Sequence, residues 1–368
     1  MTRYAMTRYA LIAAPLLALA PACRGDAPAP RPAPSAPSAT PAPTPAASPS
    51  PAPKAPASTP PSGTILVAKA GLRVPESVLY DPQADVYIVS NIDGSPLAKD
   101  DNGFLSRVAP TGEVRVTRWV NGRRAEVELN APKGMALQGD TLYVADIDVV
   151  RRFDRQTGAP RGLIEIPGAT FLNDLAAGPD GSLFVSDSGF GPKGNTGTDA
   201  VWRVAPDPKR GLAGPVVHQI VAGADLAHPN GLAVTGRKAA AGSSGAGGAW
   251  DLTVWVVSFG GDTLRAFGPR GEPRGVARLP AGGLDGLVVL DGSPRGGTFL
   301  VSSWKAQAVF RGTLQGGKLV GTFQPIFEHL RAPADIGWDT KRQRLLVPRF
   351  EEDAVQVLPL PSASPAAP

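Results

Sequence analysis

The chain has 368 residues, 42% hydrophobic, 19% charged and 6% aromatic, enough to bury a sizeable core in one large domain or two ordinary ones. Its 37 Lys and Arg against 32 Asp and Glu leave a net charge of +5. That excess is thin, and its densest groups, Arg123-Arg124 and Arg151-Arg152, have acidic neighbours, so no nucleic-acid partner is expected. One cysteine rules out an intramolecular disulfide and a Cys-based zinc site, and three histidines, His218, His228 and His329, are too few for a His-rich metal site.

The chain opens with a leader. Arg3 and Arg8 precede an apolar run from Ala10 to Ala22, at about thirteen residues too short to span a bilayer and suited to a signal peptide over 1–22. The pentapeptide starting at Met1 recurs at Met6, so both are candidate starts. Leu19-Ala20-Pro21-Ala22-Cys23 resembles a bacterial lipobox, with Leu four positions before the cysteine instead of three. On this reading Cys23 is the lipidated first residue of an exported protein. The lipid would hold it on a bacterial envelope membrane, at the periplasmic side or the cell surface. The alternative is plain secretion with a free thiol. Residues 27–62 are almost only Pro, Ala, Ser and Thr, which cannot build a core and favours an extended stalk reaching on the order of 100 Å. A disordered tail is expected over 361–368.

Between stalk and tail, residues 63–360 repeat one pattern. Six segments read as the same short strand with a polar residue at its head: Pro75-Glu76-Ser77-Val78, Pro132-Lys133-Gly134-Met135, Leu172-Asn173-Asp174-Leu175, Pro229-Asn230-Gly231-Leu232, Leu284-Asp285-Gly286-Leu287 and Ala334-Asp335-Ile336-Gly337. A Gly- or Asp-rich turn follows each, then a β-branched or aromatic run such as Val86-Tyr87-Ile88-Val89 or Thr253-Val254-Trp255-Val256. A third strand begins near Phe104, Val149, Ala200, Thr263, Ala308 and Ala354. Short strands at a period of about 40 to 57 residues, with no amphipathic helix, predict an all-β, six-bladed β-propeller of four-stranded blades. The last repeat has three strands, and the spare strand Thr64-Ile65-Leu66-Val67 can complete it and close the ring. The Ala/Gly/Ser run Ala239–Ala249 reads as a surface loop. Trp304 and Trp338 read as packing between blades.

In a propeller the innermost strands line the channel, so their heads form a ring: Glu76, Lys133, Asn173, Asn230, Asp285 and Asp335. One strand-head Asn or Asp is ordinarily a turn cap; six polar heads in register are not. Carboxylates crowded together repel unless a cation sits among them. Glu, Asp and Asn oxygens are the ligands of a hard divalent cation, Ca²⁺ first, with Mg²⁺, Mn²⁺ or Zn²⁺ as alternatives. Lys133 can pair within the ring, with Asp335 as its partner, leaving Glu76, Asn230 and Asp285 for the metal.

These segments resemble the senescence-marker-protein/gluconolactonase family across 63–360. The resemblance is carried by Glu76 in Pro-Glu-Ser, Asn173-Asp174 ahead of Gly-Pro-Asp-Gly-Ser-Leu-Phe-Val-Ser-Asp, Pro229-Asn230-Gly231-Leu232 and Leu284-Asp285-Gly286-Leu287. It implies a six-bladed propeller with one divalent cation in the channel and lactonase or esterase activity. It further implies Glu76, Asn230 and Asp285 as ligands, Asn173 holding a water or substrate oxygen, and Asp285 as general base or acid. Three positions depart from it: Phe171 stands where sugar-lactone members carry Arg, Ser77 stands where Gly is usual, and Lys133 places in the ring a positive charge that competes with the metal. Strictosidine-synthase and NHL propellers share the blade pattern, and many are not hydrolases.

Two functions follow. One is a metal-dependent lactone or ester hydrolase with a small-molecule substrate, in which water activated by the metal or Asp285 attacks a polarised carbonyl. The other is a non-catalytic propeller binding a ligand or protein at the same mouth, a reading that Phe171 and Lys133 favour. The loops Asn91–Gly103 and Asp187–Asp199 are expected to surround that mouth. His228, two residues before Asn230, is a proton shuttle or a half-exposed turn residue. A monomer is expected.

Overall fold

A computed structural model describes residues 61–238 and 250–361. The leader, Cys23, nearly all of the stalk, the insertion 239–249 and the tail from 362 lie outside the described residues. Helix among the described residues is limited to two single turns, Ala224–Leu226 and Phe350–Glu352.

Six four-stranded antiparallel sheets follow one another along the chain. Their first strands are Pro75–Asp81, Pro132–Gln138, Leu172–Ala177, Pro229–Lys238, Leu284–Ser293 and Gly337–Asp339. These six contact one another in cyclic order, the last against the first. They are therefore the inner strands of a six-bladed propeller, as the repeat predicts. Third strands start at Phe104, Val149, Ala200, Thr263, Ala308 and Ala354, the six expected positions.

Why the second strands read as unbroken apolar runs is visible in the packing. Six buried clusters each join two successive blades. A blade between two neighbours is covered on both faces, so alternate residues point into different cores. Val86, Tyr87, Ile88 and Val89 are all at most 2% exposed, with Tyr87 and Val89 in the cluster toward the sixth blade and Val86 and Ile88 in the one toward the second. Trp338 packs into the cluster between fifth and sixth blades, as expected.

The ring closes at the N-terminal strand. Ile65–Val67 pairs antiparallel with Ala354–Pro359, Ile65 opposite Val357, and is the outermost strand of the sixth blade. The sixth inner strand is shorter than the sequence pattern suggests, starting at Gly337 instead of Ala334. Its head pairs sideways instead: the Asp335 N–H donates to Glu76 O at 2.9 Å, and Ser77 and Asp335 form a parallel bridge.

The inner strands approach closely enough to need glycine. A Cβ on Gly231 would lie 2.2 Å from Asp285 O, and one on Gly286 would lie 2.2 Å from Ile336 N. Both obstacles are backbone atoms of the adjacent blade, which no side-chain rotation can clear. Gly286→Ala is therefore expected to cost about 1–3 kcal/mol in chemical denaturation, the range for overpacking a well-filled interior. An unchanged midpoint would mean the blades are more loosely joined than the packing indicates.

Candidate functional site

The channel ring is built by a repeated backbone irregularity. Each of the first five inner strands shifts register against its second strand between its first and fourth residues: Pro75/Val78, Pro132/Met135, Leu172/Leu175, Pro229/Leu232 and Leu284/Leu287. Such a bulge re-aims side chains and removes N–H groups from the ladder. Serines on the second strands take up those groups. Ser77 N–H donates to Ser90 Oγ at 2.9 Å, Asp174 N–H to Ser186 Oγ at 2.9 Å, and Gly286 N–H to Ser302 Oγ at 2.7 Å. Ser186 and Ser302 in turn donate to carbonyls of the next blade, Asn230 O at 2.7 Å and Ala334 O at 2.9 Å. These serines thus tie the third blade to the fourth and the fifth to the sixth.

Glu76, Lys133, Asn173, Asn230 and Asp285 lie at these irregular heads, Asp335 lies just ahead of the sixth inner strand, and all six are buried. A seventh group joins them. Asp174 is 4% exposed and accepts the N–H of Leu175 and, from the fourth blade, of Leu232, both at 2.6 Å. Gly134 makes room for it, because a Cβ there would lie 2.3 Å from Asp174 Oδ1. Sequence reading passed over Asp174 because the strand period assigns one residue per head to the channel. The adjacent Asn-Asp pair opposite a Gly in the preceding repeat was the available signal.

Four carboxylates and one ammonium therefore share a dry space, and burial dominates their titration. Desolvation, then Asp285 and Asp335, push the Glu76 carboxyl well above its usual range. Desolvation and Asp335 do the same to Asp174 and Asp285. Asp335 is pushed up to about 7 by burial, against a hydrogen bond donated by Ser77 Oγ that opposes the shift. Lys133 is brought down to about 8 by desolvation, partly offset by Glu76.

Lys133 does not pair with Asp335 as the sequence suggested. Its Nζ donates to Ala131 O at 3.0 Å and lies 4.3 Å from the centroid of the Phe171 ring. A backbone carbonyl and an aromatic face thus take the place of the carboxylate. This leaves the carboxylates without a cationic hydrogen-bond partner from Lys133.

Five carboxylate or carboxamide oxygens are buried without a partner among the described residues, and three are ring atoms: Glu76 Oε2, Asn230 Oδ1 and Asp285 Oδ1. Buried polar atoms without partners are rare. Three oxygen donors left open together match a hard cation's preference. Among the described residues no three His, Cys, Asp or Glu side chains form a metal-binding group, and one of the three open ring oxygens belongs to the Asn230 amide. Asn173 donates through Nδ2 to Ser188 Oγ at 2.9 Å, which leaves its carbonyl oxygen available.

The two long loops lie at this mouth, as expected, and do different work. Asp93 bridges Arg118 at 2.6 Å and Arg123 at 3.3 Å, and Asp101 accepts the Leu129 N–H at 3.3 Å. These acids fasten the first loop. The second loop supplies Phe190, stacked 4.2 Å from the His228 ring. His228 Nδ1 donates to Ser188 O at 2.7 Å, and the His228 N–H donates to the buried Asp199 at 2.9 Å. Trp304 packs between aromatic residues of the fourth and sixth blades, as expected, and does so at the mouth. It stands at the mouth, 5.7 Å from Phe259 and 5.1 Å from Phe350 between ring centroids, because it follows directly on the second strand Gly296–Ser303. Its indole, with the Asn230 amide, favours the ionised Asp285 carboxylate.

No protein-family model matches the chain, and no curated protein matches it by sequence. Solved structures do. A gluconolactonase from Xanthomonas campestris aligns with a TM-score of 0.53 at 20% identity, over 82% of this chain and 90% of that one. Regucalcin from Agrobacterium tumefaciens, a calcium-binding protein, gives 0.51 at 17% identity, over 78% and 91%. A luciferin-regenerating enzyme gives 0.53 at 12% identity, over 81% and 95%. At these identities the likeness establishes the shared six-bladed fold, in agreement with the resemblance seen in the sequence.

The raised carboxyls carry an unusual pH dependence. A carboxyl whose folded-state pKa exceeds its unfolded value binds more protons in the folded protein, so its ionisation costs stability as pH rises between the two values. For Asp335 that window runs from 3.8 to about 7. In the presence of a chelator, Asp335→Asn is expected to melt with the wild type at pH 4 and several degrees above it at pH 8. A variant that melts lower at pH 8 would contradict the electrostatic reading.

Proposed function

We infer that the chain is a metal-dependent hydrolase of lactones or related esters, displayed as an extracytoplasmic lipoprotein. The single observation that carries the chemistry is the set of three unpartnered buried oxygens, Glu76 Oε2, Asn230 Oδ1 and Asp285 Oδ1. Their donor chemistry fits a divalent cation, Ca²⁺ first, and the gluconolactonase and calcium-binding neighbours support that reading at the level of fold. Bound there, a divalent cation supplies Lewis-acid polarisation of an ester carbonyl and charge compensation for the developing oxyanion.

The chain's own residues do the rest. Glu76, Asn230 and Asp285 hold the ion. Asp285 accepts the proton of the attacking water, and Asn230 and Trp304 favour its ionised form. The Asn173 carbonyl oxygen, oriented by the amide hydrogen bond to Ser188, positions that water or a substrate hydroxyl. Lys133, buried beside the ring, provides positive charge for the carboxylate product. His228, held through Nδ1 by Ser188 O, is placed to pass protons between the mouth and solvent. Asp174 and Asp335 position the neighbouring strands through Leu232 and Ser77.

Hydrolysis of a lactone panel by the full chain tests this. Turnover should vanish with chelator and return with Ca²⁺, and Glu76→Gln and Asp285→Asn should each lower kcat/KM by about 100-fold or more, of the order seen when an electrostatic catalytic group is removed. Turnover that is indifferent to chelator would contradict the metal reading. For the anchor, Cys23→Ser should move the protein from the membrane fraction to the soluble fraction of a bacterial host. Retention in the membrane fraction would remove the lipoprotein assignment.

A further inference from the structure

The residue directly after the second strand occupies an equivalent place in every blade, just outside the polar ring. The six are Ile92, Ile147, Ser188, Phe259, Trp304 and Phe350. Backbone hydrogen bonds hold them there in register with the chain entering the inner strand: Ile92 N–H to Val74 O, Ser188 to Phe171 O, Phe259 to His228 O and Trp304 to Gly283 O, at 2.8–3.2 Å. Five of the six are aliphatic or aromatic. Phe259, Trp304 and Phe350 form a contiguous aromatic wall beside Asp285, and all three remain only half-buried. Their faces are thus partly open where core aromatics are not.

Three polar side chains near this wall are already engaged. Ser188, the one hydroxyl of the six, donates to Pro229 O at 2.6 Å and accepts from Asn173. Arg118 and Arg123 are paired with Asp93. A polyhydroxylated sugar lactone brought against such a wall would leave hydroxyls without partners, a direct loss of affinity. A flat apolar ring would meet edges and faces suited to aromatic contact. The Trp304 indole joins this wall to the polar ring through Asp285.

Building on the hydrolase reading, we propose that the substrate is an aromatic lactone or aryl-substituted ester, its ring packed on Phe259, Trp304 and Phe350 and its carbonyl directed to the polar ring. Hydrolysis cleaves the acyl C–O bond with water: hydroxide forms the new C–O bond, and the alkoxy or phenoxy oxygen leaves with the electron pair and takes the remaining proton. A lactone gives one hydroxy acid, and an open ester gives an acid and an alcohol or phenol.

The test uses the full chain with Ca²⁺ and three probes: dihydrocoumarin, δ-valerolactone and glucono-δ-lactone. Rates are divided by each lactone's own hydroxide-catalysed rate. Binding of the hydrolysis product 3-(2-hydroxyphenyl)propanoate is followed separately by tryptophan fluorescence. Dihydrocoumarin is expected to exceed δ-valerolactone by tenfold or more in corrected kcat/KM, with glucono-δ-lactone below both. Phe350→Ala should bring the aromatic-to-aliphatic ratio toward one, Phe350→Tyr should restore it, and the aromatic product should quench fluorescence. A preference for glucono-δ-lactone, or a ratio indifferent to Phe350→Ala, overturns the substrate class while the hydrolase reading stands. Quenching by the aromatic product with no turnover of any lactone supports the aromatic mouth and overturns the hydrolase. Neither binding nor turnover overturns both.

Discussion

Four carboxylates buried around one channel are the interaction on which the rest of this structure depends. Glu76, Asp174, Asp285 and Asp335 are each at most 7% exposed, and burial is the largest influence on every one of them. Removing a carboxylate from water without a partner is costly. The chain meets that cost unequally. Asp174 has two backbone N–H groups and Asp335 has the Ser77 hydroxyl. Glu76 and Asp285 each keep one oxygen unpartnered, as does the Asn230 amide between them in the chain. A protein needing only stability would place apolar residues at these positions, since well-packed hydrophobic replacements of buried charges are often neutral or stabilising. Groups held at such expense are characteristic of functional sites.

The scaffold's regularities serve this arrangement. The inner-strand bulges turn ring side chains toward the channel, serines of the second strands satisfy the backbone N–H groups the bulges release, and glycines at Gly231 and Gly286 let adjacent strands approach. Six inter-blade cores hold the blades in place, so the ring is supported by the whole circumference. The same register places an apolar layer directly outside the polar one. A mouth with a charged floor and an aromatic wall results.

Much of this was legible in the sequence. A repeated polar head, turn and β-branched run give blade number, third-strand starts and the closing strand, because a propeller is a local repeat whose members meet the same environment. Glu76, Asn173, Asn230, Asp285 and Asp335 were legible for the same reason. What was not legible depends on three-dimensional detail within a bulge. Asp174 joins the cluster because the irregular strand head buries two successive side chains. Lys133 bonds Ala131 O and faces Phe171 instead of Asp335, a choice that its side-chain length leaves open in the sequence. Trp304 is legible as packing between blades, but its place at the mouth is not, because its apolar bulk carries no hint of which end of the strand it caps. The sixth inner strand was read three residues too long because its head pairs with Glu76 instead of with its own blade.

The most direct measurement is a crystal structure of the full chain grown with Mn²⁺, with anomalous scattering recorded at the manganese edge. One anomalous peak within coordination distance, about 2.0–2.6 Å, of Glu76 Oε2, Asn230 Oδ1 and Asp285 Oδ1 is the result this account predicts. A channel without such a peak, with Lys133 Nζ turned inward to bond Glu76 or Asp285, would contradict it: the three oxygens would then belong to an internal ion pair, and the ring would be structural.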